Sequence, residues 1–203
     1  MYHFSVPMAL VDYIPVLFFG AAAVILLMDL SRNVRKDAFA LFAAGTVDIF
    51  LAGFLKATWK LLYAAGVCDF QALNTLFLPL QSIGFLLAGT GIVLMLFARK
   101  NAVLLAAPPV FGGSMVFIIM MVLGLGCICT CLSILAVRLK KRRAVILFAL
   151  SFLCSMGMGY MSSRDSTQAV INWIEQGINC LGQGFLLWGA LTLHRAGLKN
   201  YLF

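Results

Sequence analysis

Glu175 is a carboxylate inside an apolar run, Ala169 to Leu193, that is long enough to cross a bilayer. A charge at that depth is costly, and as a rule it has a partner or a task. The partner the sequence offers is Lys56, which lies at a comparable depth in another apolar segment. Asn172, Asn179 and Gln183 share the helical face of Glu175, spaced by three, four and four residues, and Trp173 and Cys180 flank the stripe. A stripe with this spacing faces a bundle interior rather than lipid.

A second constellation lies in the second apolar run. Asp48, Lys56 and Lys60 are spaced by eight and four residues and read as one helical face. At 1.5 Å per residue, Lys56 sits about 12 Å further out than Asp48, and Lys60 reaches the outer interface, where its amine snorkels. Gln81 in the third run falls at the depth of Lys56. These residues predict a polar cavity in the outer half of a helix bundle. Lys56, Gln81, Glu175 and Asn179 line it, Asp48 and Gln183 form its floor, and Asn172 and Trp173 complete the ligand-binding set. The chemistry is that of binding: an ammonium for an anionic group, a carboxylate for a cationic group or a proton, and amides for either. The competing expectation is an ion pair and amide hydrogen bonds that only hold helices together. Asp12 and Tyr13 begin the first run and can reach water outside, and Trp59, Tyr63, Tyr160 and Trp173 are placed as outer interfacial anchors.

Signatures of bond-breaking chemistry are missing from the sequence. There is no His-Glu-x-x-His, no Gly-x-Ser-x-Gly, no P-loop and no Gly-x-Gly-x-x-Gly. His3 and His194 fall on opposite membrane faces, so a shared metal or haem is not expected. Neither a catalytic residue nor a cofactor is expected. Cys127, Cys129, Cys131, Cys154 and Cys180 lie inside apolar runs and read as small packing residues, with only Cys68 in a loop.

The elements that must position these residues follow from composition. The chain has 203 residues, of which 63% are hydrophobic and 11% charged. That leaves too little polar surface to coat a soluble domain, so the expectation is an all-α polytopic integral membrane bundle in the plasma membrane. The net charge of +8 gathers in short clusters at the ends of apolar runs: Arg32/Arg35/Lys36, Arg99/Lys100, Arg138 to Arg143, and Arg195/Lys199. Such clusters mark cytoplasmic loops rather than a nucleic-acid surface. The first run has no basic segment before it and is followed at once by Arg32-Asn33-Val34-Arg35-Lys36. It therefore reads as a first span with the N-terminus outside, not as a cleaved leader.

Spans are drawn at about 11–30, 38–62, 75–98, one ending at Val137, 144–161 and 169–193. Between Arg99 and Arg138 the apolar stretch carries the breakers Pro108-Pro109, Gly112-Gly113 and Gly124-Leu125-Gly126. One helix there gives six spans. A hairpin of two gives seven, with every basic cluster inside, and the charge rule selects seven, C-terminus inside. The organisation expected is a first three-helix half at 1–98, a short linker span or re-entrant segment at 99–112, and a second half at 113–203. A weak repeat supports it. Gly84-Phe85-Leu86-Leu87-Ala88-Gly89 recurs as Gly184-Phe185-Leu186-Leu187-Trp188-Gly189, and a basic loop precedes both Phe39-Ala40-Leu41 and Phe148-Ala149-Leu150. The many glycines read as close helix contacts.

This three-plus-one-plus-three plan resembles the seven-helix architecture of SWEET and PQ-loop proteins. The resemblance is one of topology over nearly the whole chain. The Pro-Gln dipeptide of that family is absent, Pro79-Leu80-Gln81 being the nearest approach, and no site residue is carried over. A retinal protein is not supported, because the last span has no lysine.

The resemblance and the polar cavity together imply a small transporter or permease for a polar or zwitterionic small molecule. The alternatives are a receptor or sensor subunit that signals through a partner protein, and a structural or assembly subunit. The partners expected are the lipid bilayer, a small-molecule substrate, and a second copy of the chain or a membrane partner. Nucleic acid is not among them.

Overall fold

The computed structural model describes residues 5–32, 34–97, 114–162 and 169–201. Among them the only regular structure is helical. The long helices are α1 (Val6–Leu30), α2 (Lys36–Ala64), α3 (Gln71–Phe97), α4 (Ser114–Arg138), α5 (Arg142–Ser162) and α6 (Ala169–Arg195). The first five are long and apolar enough to cross a membrane, which makes this an integral membrane protein. Helix α6 is as long, at 27 residues, but carries the polar stripe. Large apolar side chains such as Leu17, Met28, Leu123, Leu153 and Leu181 point outwards, as a lipid solvent allows.

Local chemistry sets the helix ends and breaks. The Ser5 side chain caps α1 by accepting from the Met8 amide at 3.4 Å. Helix α1 is interrupted after Val11, and α3 after Thr75. Each break lies four residues before a proline, Pro15 or Pro79, whose ring crowds the carbonyl at that position and offers it no N–H. Helices α4 and α5 are joined by a tight turn in which the Lys141 amide donates to Ala136 O (2.8 Å) and the Lys140 amide to Val137 O (2.9 Å). That is a Schellman closure with Lys140 in the left-handed position, at φ 58°, where glycine is the low-strain choice. Gly197 (φ 84°) turns the chain after α6 so that Leu198 is buried beneath α1.

The helices form a closed ring in chain order, with α6 returning to pack on α1. Directions follow from the contacts. Gly45 of α2 abuts Gly84 and Ala88 of α3, while Phe42 and Ala38 abut Gly91, so α2 and α3 are antiparallel. Along α1 and α6, Met8 meets Gln176, Phe18 meets Gly184 and Asp29 meets His194, so these two are parallel. Helices α3 and α4 touch where Gly124 meets Phe85, Leu86 and Gly89. They also run parallel, because both begin at the cavity end and both finish at the end where Arg138 reaches Tyr201.

One packing scheme occurs twice. Gly84 meets Gly45 and Ile49 of α2 as Gly182 meets Ser151 and Ser155 of α5, and Gly91 meets Phe42 as Gly189 meets Phe148. The α3–α4 contact of Leu86 with Gly124 has its counterpart in the α6–α1 contact of Gly184 with Phe18. The packing therefore equates Gly84 with Gly182, two residues out of step with the match of Gly84 to Gly184 in the primary sequence.

Several expectations need correction. Gly124-Leu125-Gly126 does not break α4, which is continuous, because a glycine inside a helix is tolerated where a neighbouring backbone needs the space. Trp59 is not an interfacial anchor: it is buried and donates to Asp69 Oδ1 at 3.0 Å. Close packing does not explain every glycine, since a methyl added at Gly157, Gly159 or Gly177 would meet nothing within 4 Å among the described residues. The six cysteines are free thiols. The linker at 99–112, with Pro108-Pro109 and Gly112, lies outside the described residues, as do Gly113 and His3.

Candidate functional site

All six long helices contribute to one cavity of about 600 Å³. It lies at the end of the bundle where α1, α3, α4 and α6 begin and where α2 and α5 finish. The lining obeys the repeated packing. Helix α3 supplies Phe77, Leu78, Gln81 and Phe85, and α6 supplies Glu175, Gln176, Asn179 and Gln183 with the same spacing. Helix α1 supplies Asp12, Pro15, Val16 and Phe19, and α4 supplies Ile118, Met121, Val122 and Leu125, again in step. The shape is thus close to two-fold, but the chemistry is not. The charges Asp12, Lys56, Lys60 and Glu175 come from α1, α2 and α6, whereas α4 presents only apolar groups.

Five of the eight residues expected from the sequence are brought together here: Lys56, Gln81, Glu175, Asn179 and Gln183. Asp48, Trp173 and Asn172 are not in the cavity wall. Eight residues along a helix leave Asp48 about 80° round from Lys56, so Asp48 stands part-exposed off the cavity face. Trp173 lies two residues from Glu175, on nearly the opposite side of α6, and is 45% exposed. Asn172 is buried and is not part of the lining.

The electrostatics also differ from expectation. A contact ion pair in the cavity wall joins Lys60 to Asp12, at 2.6 Å, both side chains being largely buried. Lys60 therefore does not snorkel; it binds α2 to the break in α1. Next to it, the Tyr13 and Thr58 hydroxyls lie 3.0 Å apart. The Lys56 ammonium packs on the Phe77 ring, 3.9 Å from its centroid, a cation–π contact in a desolvated place. It experiences Asp12 and Glu175 as favourable charges and Lys60 as an unfavourable one. Lys56 and Glu175 thus act on one another across the cavity, without the direct pairing expected.

Sequence reasoning missed Asp12 and Gln176 as cavity residues. Gln176 is 3% exposed; its amide nitrogen donates to Met8 O at 3.1 Å, and its Oε1 accepts from no donor among the described residues. Gln183 Oε1 is likewise a buried acceptor with no donor among the described residues. A signal for Asp12 was present: Lys56 and Lys60 are four apart on one face, so whatever faces one faces the other. Among the described residues no cluster of three metal-ligating side chains occurs. Chemically, the site offers charges of both signs, one pair in contact and Lys56 and Glu175 apart from each other, with buried amide acceptors and aromatic and thioether walls, all inside the membrane-embedded bundle. Comparison with protein-family models, with curated proteins and with solved structures returns no match to this chain.

Proposed function

We propose that this chain is a small membrane transporter that takes a polar or zwitterionic small molecule into the cavity. One observation carries the reading: six helices converge on one cavity whose wall holds two cations and two carboxylates in otherwise largely apolar surroundings. Its volume of about 600 Å³ suits a small organic molecule. Gathering four charges inside a membrane bundle gains little for stability alone, since desolvation offsets most of the attraction. The Lys56 ammonium meets the anionic group of the ligand, Glu175 holds the opposite pole, and Gln176 and Gln183 accept from its donors.

Supporting features lie at the other end. There the bundle is closed by fully buried Phe42, Phe148, Leu132, Leu135 and Leu193. The basic residues Arg35, Lys36, Lys140 to Arg143 and Lys199 stand just beyond them. By the positive-inside rule that end is cytoplasmic, so the cavity opens outwards and the far end is the barrier a transport cycle must open. Helix α3 finishes at one end of the bundle and its parallel neighbour α4 begins at the other. On this reading the chain makes seven passes, in two three-helix halves joined by one connecting pass, with the site between the halves as in other duplicated transporters.

The test is a thermal-shift screen of purified protein against amino acids, sugars, vitamins, nucleosides and lipid headgroups, followed by uptake of any hit into proteoliposomes. The expected result is a ligand that stabilises wild type, loses its effect in Lys56→Met and in Glu175→Gln, and is taken up. A ligand that binds without flux would convert the reading to a receptor. Unchanged melting with every compound, in a protein that both substitutions destabilise strongly, would make the polar residues structural.

A further inference from the structure

A second concave surface lies at the opposite end of the bundle, independent of the cavity. It is a groove of about 1100 Å³ between the α4–α5 turn and the outer side of α6. Four consecutive basic residues, Lys140, Lys141, Arg142 and Arg143, edge it, and all four are exposed. The rest of its wall is largely apolar, including Ile146 (61% exposed) and Trp188 (62% exposed) on the lipid-facing sides of α5 and α6. Among the described residues no carboxylate lines it. We propose that this groove binds an anionic membrane phospholipid, with its phosphate on the basic turn and the start of an acyl chain along Ile146 and Trp188.

The composition of the wall chooses the ligand. A free phosphate would use the basic edge but has no use for an apolar wall. A zwitterionic lipid would use the wall but gain little from four cations. Arginine forks match phosphate oxygens in pairs, and an indole about two turns inside a helix end lies just below the headgroups, where it can flank the first part of an acyl chain. The turn itself supports the assignment. Lys140 occupies a left-handed backbone position, at φ 58°, that glycine fills with less strain, so a cation is held there at a conformational cost. Arg138, just before the turn, is different: it does not line the groove, and its Nη1 donates to the Tyr201 hydroxyl at 3.3 Å. It therefore serves as an internal control. Basic pockets at helix ends on the cytoplasmic side are where anionic headgroups settle.

The experiment is native mass spectrometry of the intact protein released from micelles containing equal phosphatidylglycerol and phosphatidylcholine, with inorganic phosphate as a separate competitor. Wild type should retain phosphatidylglycerol in preference. The variant Lys141→Gln/Arg142→Gln should reduce that enrichment by roughly fivefold per charge removed, Trp188→Ala should reduce retention of the lipid, and Arg138→Gln should leave it unchanged. These surface variants can be verified as folded by their unchanged melting temperature in pure detergent. Should the double variant keep the wild-type enrichment, or should phosphatidylcholine be retained equally, the assignment is wrong. Displacement of the lipid by millimolar inorganic phosphate would also overturn it, as would loss of enrichment in Arg138→Gln to the same degree, since the first makes the site a simple anion site and the second makes the effect one of net charge.

Discussion

Glycines in two parts of the bundle meet opposite surroundings. Along the seam of α2, α3 and α4, Gly45, Gly84, Gly91, Gly89 and Gly124 bring backbones into contact: a Cβ on Gly124 would overlap Phe85 O, and one on Gly45 would overlap Ala88 N. At the cavity end of α5 and α6, a Cβ on Gly157, Gly159 or Gly177 would meet nothing within 4 Å among the described residues. The same residue is a spacer in the first region and open room in the second. The seam of α2, α3 and α4 therefore leaves no room for a side chain at these glycines, whereas the cavity end of α5 and α6 does, although the same two helices pack tightly further along at Gly182 and Gly189. A transport cycle of the kind proposed would draw its motion from that cavity end.

The largest effect is expected from Gly124→Ala. The clash is with backbone, which cannot rotate away, so the seam must open, at a cost of about 3 kcal/mol. Unfolding in detergent should show a large loss; a near-neutral result would mean that the seam does have room. Next is the ion pair that holds the cavity end of α1. Asp12→Asn should cost about 3 kcal/mol by removing the carboxylate from the buried Lys60, and Asp12→Asn/Lys60→Met should recover most of it. If the double variant is no better than the single, the pair does not hold that end.

Smaller effects are expected away from the seam. Lys140→Gly should raise stability by about 1 kcal/mol, since it relieves the left-handed position, while lowering phosphatidylglycerol retention. Stabilisation without loss of lipid would separate the turn's strain from its proposed task. Smallest is Gly157→Ala. With nothing among the described residues within 4 Å of the added methyl, it should be neutral or gain up to about 1 kcal/mol from helix propensity. A loss comparable to that of Gly124→Ala would erase the distinction between the two regions.

The site is partly legible in the sequence. Glu175, Asn179 and Gln183 lie close in one helix, so their common face follows from helical geometry alone, and depth places Lys56 with Gln81. Depth does not suffice for Asp48, whose rotation about the helix axis takes it off the cavity face. Asp12 reads as a residue that reaches water, because a span's first turn is usually exposed; the break imposed by Pro15 instead leaves it beside Lys60. The three-and-four spacing of the stripe skips Gln176, yet Gln176 fills the cavity wall where Asn172 was expected.

Hydropathy and charge are sums over neighbouring residues, so the chain alone settled that it is helical, that it belongs in a membrane and that one helix carries a polar face. The rotation of each helix about its axis is not such a sum. It is set where Gly45 meets Gly84, Gly124 meets Phe85 and Gly182 meets Ser151, contacts between residues far apart in the chain. Those contacts chose which polar groups share the cavity, turned Asp48 aside, and aligned Gly84 with Gly182 rather than Gly184. A shift of two residues carries a side chain more than halfway round a helix. Only packed neighbours can decide between such alternatives, because the local pattern that proposes them accommodates both.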